Sequence, residues 1–180
     1  MIRIGILGNI GSGKSYAAKN FGYPVFNADS EVIKLYKKDK RIFKKLKKVL
    51  PKYIYTFPIN KNEIIKAILA KELNLKKIIK IVHFEIRKKM NIFLKKNKKK
   101  KIIILDIPLL LENKLNKKND VLIFIHAQKS EIIKRLRKRK NYNLRLINKF
   151  KKNKSDFIIK NYFNKKSIKE IKKKILKEIL

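Results

Sequence analysis

The chain has no cysteine. That excludes disulfides and any thiolate metal centre. Histidine is almost as scarce: His83 and His126 stand alone, with no partner at metal-ligand spacing, which excludes a zinc site of the usual kind. Long apolar runs are also missing. The longest, Ile102 to Leu111, is interrupted by Asp106 and is too short to cross a bilayer. With a strand expected from Ile2, no signal peptide is expected. The expectation is a soluble cytoplasmic protein, monomeric or a small homo-oligomer, with no membrane partner. Acids are few, thirteen against 51 Lys and Arg, for a net charge of +38. Yet arginine is rare too, seven residues in all, so the charge is a lysine excess. Lysine, isoleucine and asparagine rising together read as a compositional bias of the source. Phosphate recognition favours Arg forks, and basic and aromatic residues are not interleaved as base-stacking surfaces require. Weak, salt-sensitive nucleic-acid binding is therefore expected, and specific binding is not.

Glycine is the most telling scarcity. Of five glycines, Gly5, Gly8, Gly11 and Gly13 fall in one short region. Gly8-Asn9-Ile10-Gly11-Ser12-Gly13-Lys14-Ser15 matches the phosphate-binding pattern G-x-x-x-x-G-K-[ST] at every fixed position. An apolar strand, Ile2 to Leu7, precedes it and a helix starting at Lys14 follows, so backbone N–H groups can turn inward around an anion. Lys14 is expected to reach the β- and γ-phosphates of a nucleotide, and Ser15 to hold Mg²⁺. The bland alternative is a glycine-rich turn without a ligand.

At 180 residues, with 44% apolar residues, the chain suits one α/β domain. Val25-Phe26-Asn27, Ile102 to Leu105, Val121 to Ile125 and Phe157 to Ile159 read as further strands. Helices are expected at about 30–36, 41–49, 75–94, 130–139, 144–152 and 168–179. Another opens at a capping box formed by Asn60 and Glu63, with Ile64, Ile65, Ile68, Leu69 and Leu73 on one face. Strands alternating with helices imply a parallel sheet of about five strands flanked by helices. In such sheets ligands gather at the carboxyl edge of the strands.

Three candidate elements meet that rule: the phosphate loop after the first strand, Asp29 after the second, and Asp106 after Leu105. Asp29 is either a first-turn carboxylate favoured by the helix dipole or a base that accepts a proton from an acceptor hydroxyl. Asp106 is either a loop cap before Pro108 or an acid that binds Mg²⁺ directly or through water. Glu112 either fixes its loop or touches substrate. His83 and Arg87, four residues apart, share a helix face. They form either a packed histidine beside a solvated arginine or an anion contact. Arg135, Arg137, Arg139 and Arg145 gather four of the seven arginines. They form either a solvated basic helix or a lid that brings guanidinium groups onto the transferring phosphate.

In combination these segments resemble the dephospho-coenzyme A kinases. The resemblance runs from Ile4 to about Asn161. It is carried by Ile6 to Ser15, by Asn27-Ala28-Asp29, by His83 and Arg87 (like the family's His-Pro-x-x-Arg), by Asp106-Ile107-Pro108-Leu109-Leu110-Leu111-Glu112 (like D-x-P-L-L-x-E), and by Ser155-Asp156 through Asn161 (like A-D-x-x-I-x-N). Phe84 stands where the family usually has Pro, Ile132 where Gln is common, and the segment between Arg145 and Asp156 is short.

The resemblance implies a P-loop kinase fold spanning 1–180. Its core would lie at about 1–30, 100–128 and 155–180, with a helical acceptor-binding part at about 31–99 and a small lid at about 129–154. It implies ATP-dependent phosphorylation of the ribose 3′-hydroxyl of dephospho-coenzyme A. ATP would be held by Asn9, Ile10, Gly11, Ser12, Gly13, Lys14, Ser15 and Tyr16, with Asn161 near the adenine. Ser15 and Asp106 would hold Mg²⁺. Asp29, Lys14 and Arg139 would carry catalysis. The acceptor would lie against Asp29, His83, Arg87, Pro108, Leu109 and Glu112. The competing expectations are another small-molecule or nucleotide P-loop kinase and a nucleic-acid-binding P-loop ATPase.

Overall fold

The computed structural model describes residues 1–108, 110, 115–137, 155–163, 172–173 and 175–179. The chain divides into two units: Met1–Asn27 with Asn97–Leu180, and Ala28–Lys96.

The first unit is built on five parallel strands, β1 (Ile2–Gly8), β2 (Val25–Asn27), β3 (Ile102–Asp106), β4 (Val121–His126) and β5 (Phe157–Lys160), in the order β2-β3-β1-β4-β5. Five parallel strands flanked by helices is the architecture expected from the alternation of apolar runs and amphipathic segments. β3 is buried at every position and β1 at all but its first, which is why Ile102 to Leu105 reads as an unbroken apolar run instead of an alternating one. Helix α1 (Lys14–Asn20) lies against β1, β2 and β3, and its small Ala17 and Ala18 are fully buried. Ile4, Ile6, Phe21, Ile102, Ile104, Ile123, Ile125 and Ile159 form the surrounding core, joined by Ile175. Each such isoleucine contributes about 1.5–3 kcal/mol through burial. Register places Asn27 opposite Asp106 at the carboxyl ends of β2 and β3.

At the other end of the strands, Arg3 forms a buried ion pair with Asp120 at 2.9 Å and donates to the Leu115 carbonyl at 3.1 Å. The same oxygen, Oδ2 of Asp120, also accepts from the Lys117 N–H at 2.8 Å. Burial raises the Asp120 carboxyl pKa, while that N–H and Arg3 pull it back.

The second unit contains α2 (Ala28–Lys38), α3 (Lys40–Val49), α4 (Lys61–Ala70) and α5 (Glu72–Lys96), with α5 packed on the other three. On α5, Ile78, Val82, Ile86 and Met90 recur every fourth residue and form the buried stripe. α5 runs 25 residues, longer at both ends than the apolar pattern from Leu75 to Leu94 indicated, because Glu72 and Asn74 at one end and Lys95 and Lys96 at the other are polar and add nothing to that pattern. Asp39 caps α3, accepting from Arg41 N–H at 2.9 Å and Ile42 N–H at 3.4 Å.

The capping box at Asn60 forms only by half. Asn60 accepts from the Asn62 N–H at 2.9 Å, but Glu63 turns away. Its buried carboxylate accepts instead from the Tyr55 N–H at 3.1 Å, the Thr56 N–H at 3.5 Å and the Thr56 hydroxyl. The apolar face expected for α4 is also narrower. Ile64 and Ala67 are buried, whereas Leu69 is 80% exposed and Leu73, beyond the helix, is 58% exposed. At 100° per residue, position 69 lies on the side opposite position 67.

Candidate active site

The phosphate loop leaves the carboxyl end of β1, and its geometry follows from its glycines. Gly13 has φ 90°, a left-handed conformation that side chains rarely adopt, and a Cβ there would run into the Asn161 amide. Gly11 has φ 83° and passes close to Ile132 and Leu136 of α6 (Lys129–Arg137). The loop therefore packs where any side chain would hold it away.

The Lys14 ammonium folds back over the loop and donates to the carbonyls of Gly8 at 2.9 Å and Asn9 at 3.0 Å. A charged phosphate oxygen is a stronger acceptor for an ammonium than a neutral carbonyl. Ser12 is buried, and its hydroxyl has no hydrogen-bond partner among the described residues. An orphaned buried hydroxyl costs about 1–3 kcal/mol, and a bound anion is the kind of group that relieves it. Ile10 and Tyr16 are exposed at the rim of the loop, 37% and 41%. The loop and its surroundings thus fit a polyphosphate.

Asp106 ends β3 and is buried. Its carboxylate accepts from the Asn27 amide, and the same amide nitrogen is 3.5 Å from the Ser15 hydroxyl. One carboxylate and one hydroxyl beside a phosphate loop is a donor set that suits Mg²⁺, which takes few protein ligands and keeps waters and phosphate oxygens. No group of three or more His, Cys, Asp or Glu side chains gathers at metal-holding distance among the described residues.

Asn161 follows β5 and is buried. Its N–H donates to the His126 carbonyl at 2.7 Å, its amide nitrogen to the Ser12 carbonyl at 2.8 Å, and its amide oxygen accepts from the Phe163 N–H at 2.8 Å. Both ends of the side chain are engaged by the protein, so its immediate task is to hold the phosphate loop. Phe163 adopts φ 60°, unusual for a bulky residue. The Arg135 guanidinium stacks on its ring at 3.8 Å.

In the helical unit, Asp29 lies in the first turn of α2, where a carboxylate complements the helix dipole. His83 and Arg87 share a face of α5. Partial burial, with Arg87 nearby as a lesser cause, lowers the His83 pKa, so the imidazole is neutral at pH 7. Phe84 is 54% exposed, with the Lys88 ammonium 4.4 Å from its ring. Pro108 is exposed just past β3. Leu109, Glu112, Arg139 and Arg145 lie outside the described residues.

Sequence reasoning overlooked two residues here. Asn27 enters the sequence pattern only within Asn27-Ala28-Asp29, and its signal, a strand-end amide in register with a strand-end acid, exists only once β2 and β3 are neighbours. Asp156 accepts from the Leu122 N–H at 2.7 Å and joins β5 to β4. Nothing in its spacing announced that.

The family model for dephospho-CoA kinase matches residues 2–162. A dephospho-CoA kinase of Wolbachia pipientis wMel is 37% identical over 141 residues, covering 76% of this chain and 72% of the relative. Among solved structures, a Thermus thermophilus protein superposes with a TM-score of 0.77 at 22% identity, covering 99% of this chain and 98% of that one. Dephospho-CoA kinase from Campylobacter jejuni does so with a TM-score of 0.66 at 20% identity, covering 98% and 96%. These structural likenesses show a shared fold, while the family model and the sequence relative carry the assignment.

Proposed function

The chain belongs to the dephospho-CoA kinase family, and from that premise we propose how its residues divide the work of phosphoryl transfer. The family catalyses the final step of coenzyme A biosynthesis, a kinase reaction with ATP and dephospho-CoA as substrates. No helix among the described residues is long and apolar enough to cross a membrane.

In this reading ATP lies along the phosphate loop from Asn9 to Tyr16. Backbone N–H groups surround the β-phosphate, and Lys14 leaves the Gly8 and Asn9 carbonyls to span the β- and γ-phosphates. Asn161 acts on the nucleotide through its hold on Ser12. Ser15 and Asp106 hold Mg²⁺. When bound, the ion neutralises charge on the phosphate oxygens.

Asp29 accepts the proton of the ribose 3′-hydroxyl. The freed oxygen forms a bond to the γ-phosphorus as the bond from that phosphorus to the bridging oxygen breaks, and ADP leaves with the bonding pair. Lys14 and Arg139 stabilise the charge that develops on the transferring group. The helical part, 31–99, receives the acceptor along His83 and Arg87, with Pro108, Leu109 and Glu112 completing its contacts, and 129–154 serves as the lid. A neutral His83 offers a hydrogen bond without repelling Arg87.

The observation that carries this reading is the Lys14 ammonium resting on loop carbonyls in a loop whose neighbours Ser15 and Asp106 share one amide. ADP release is the test, measured with ATP, Mg²⁺ and a panel of dephospho-CoA, nucleoside monophosphates, pantetheine and nucleic acid. Turnover with dephospho-CoA alone is expected. Equal turnover with a nucleoside monophosphate would overturn the assignment of the acceptor.

A further inference from the structure

We propose that Asn27 is a positioning residue for the divalent cation, orienting the Asp106 carboxylate and the Ser15 hydroxyl with a single amide nitrogen. The proposal rests on the reading of Ser15 and Asp106 given above and adds a residue to it.

The backbone sets the arrangement. β2 and β3 are parallel neighbours, and Asn27 and Asp106 are register partners at the last rung of that pairing. Side chains at paired positions point to the same face of a sheet, so the amide and the carboxylate meet without any loop having to bring them together. The amide nitrogen donates to Oδ2 of Asp106 and is 3.5 Å from Ser15 Oγ. One nitrogen therefore ties the acid that ends β3 to the hydroxyl in the first turn of α1. With Oδ2 occupied, the carboxylate is fixed in rotation about its last bond, which leaves Oδ1 as the oxygen available to a cation or to a water on it. Asp106 is 2% exposed, so water gives it little competing support.

The chemistry at position 27 matters as much as its place. A neutral donor steadies Asp106 without cancelling its charge, so the full negative charge remains for the cation. A lysine or arginine there would neutralise it. A carboxylate would set two like charges at hydrogen-bond distance and could not donate. An amide on a strand is both rigid and uncharged, which is what a second layer of support around a metal ligand requires.

The test uses the full chain and Mn²⁺ as the probe. Its affinity for the protein–ADP complex is read from electron paramagnetic resonance, and ADP affinity in EDTA is measured in parallel by calorimetry. For Asn27→Ala, Mn²⁺ affinity is expected to fall about 10-fold, the lower end of the range for losing a supporting hydrogen bond to a metal ligand. ADP affinity in EDTA stays within about twofold, because the phosphate loop itself is intact. Asn27→Thr suits an edge strand, and its hydroxyl falls short of Asp106. It should show the same loss and stands in if the alanine variant does not fold. Asp106→Ala is the reference and should lose more Mn²⁺ affinity than either. Unchanged Mn²⁺ affinity in both Asn27 variants, with loss in Asp106→Ala, would overturn the role of Asn27 and leave the cation reading standing. Unchanged affinity in all three would overturn both. A parallel fall in ADP affinity in EDTA would show that Asn27 merely supports the loop.

Discussion

Two aspartates are buried at opposite ends of the same parallel sheet, and they are treated in opposite ways. Asp120, at the amino end of the strands, faces the Arg3 guanidinium at 2.9 Å and accepts a backbone N–H. Asp106, at the carboxyl end, faces a neutral amide from Asn27. A buried carboxylate paired with a guanidinium is electrically closed and has little left to offer a ligand. A buried carboxylate steadied by an amide keeps its charge and stays open. The amino end is built for stability, and the carboxyl end keeps a carboxylate held by a neutral donor.

Breaking each aspartate in turn separates the two roles. The largest effect is expected from Asp106→Ala: turnover falls about 10²–10³-fold, the scale for losing one electrostatic stabiliser of the transition state. The melting temperature holds or rises, because a buried charge has been removed. Steady-state kinetics beside calorimetry checks both halves.

Asp120→Ala should do the reverse. It leaves Arg3 buried without its partner and destabilises the fold by about 3–5 kcal/mol in denaturant unfolding. Turnover per folded molecule is unchanged at low temperature. The double variant Arg3→Met with Asp120→Leu should recover most of the lost stability, since removing both charges avoids the penalty of leaving one.

Asp29→Asn sharpens the comparison from the helical unit. Turnover should drop about 10²-fold, the usual scale for a lost general base, with ATP affinity retained. Near-normal turnover would remove Asp29 from the mechanism.

The smallest effect is a pH dependence. The folded-state pKa of His83 lies below its unfolded value, so the unfolded chain binds the proton more readily. The stability this contributes is fully present above the unfolded value, about 6.5, and is lost as pH falls from there through the folded value. His83→Asn should therefore lose less stability between pH 7 and pH 5 than the unaltered chain. The difference is small because the ring is half-exposed and solvent screens it.

Much of this was legible beforehand, and the residues show why. The phosphate loop was found because its glycines are required one by one by backbone conformation. β3 and β4 were found because strands covered on both faces must be apolar throughout. Asp106 stood out as a lone acid at the end of such a run. The capping box failed for a different reason. Glu63 could have closed on Asn60, but its carboxylate found three donors in the loop ahead of α4. Periodicity carries no information about such partners.

The sequence by itself determined which segments could be strands, where an anion could be held, and which family the chain resembles. Those properties depend on neighbours within a few residues, such as a glycine's φ, an apolar repeat or a fixed spacing. Only the tertiary structure decided that the sheet runs β2-β3-β1-β4-β5, that Asn27 meets Asp106, and that Arg3 closes on Asp120. The Asn27–Asp106 and Arg3–Asp120 pairings join residues 79 or more positions apart. A hydrogen bond or ion pair at that separation exists only once chain crossovers have set the strands side by side.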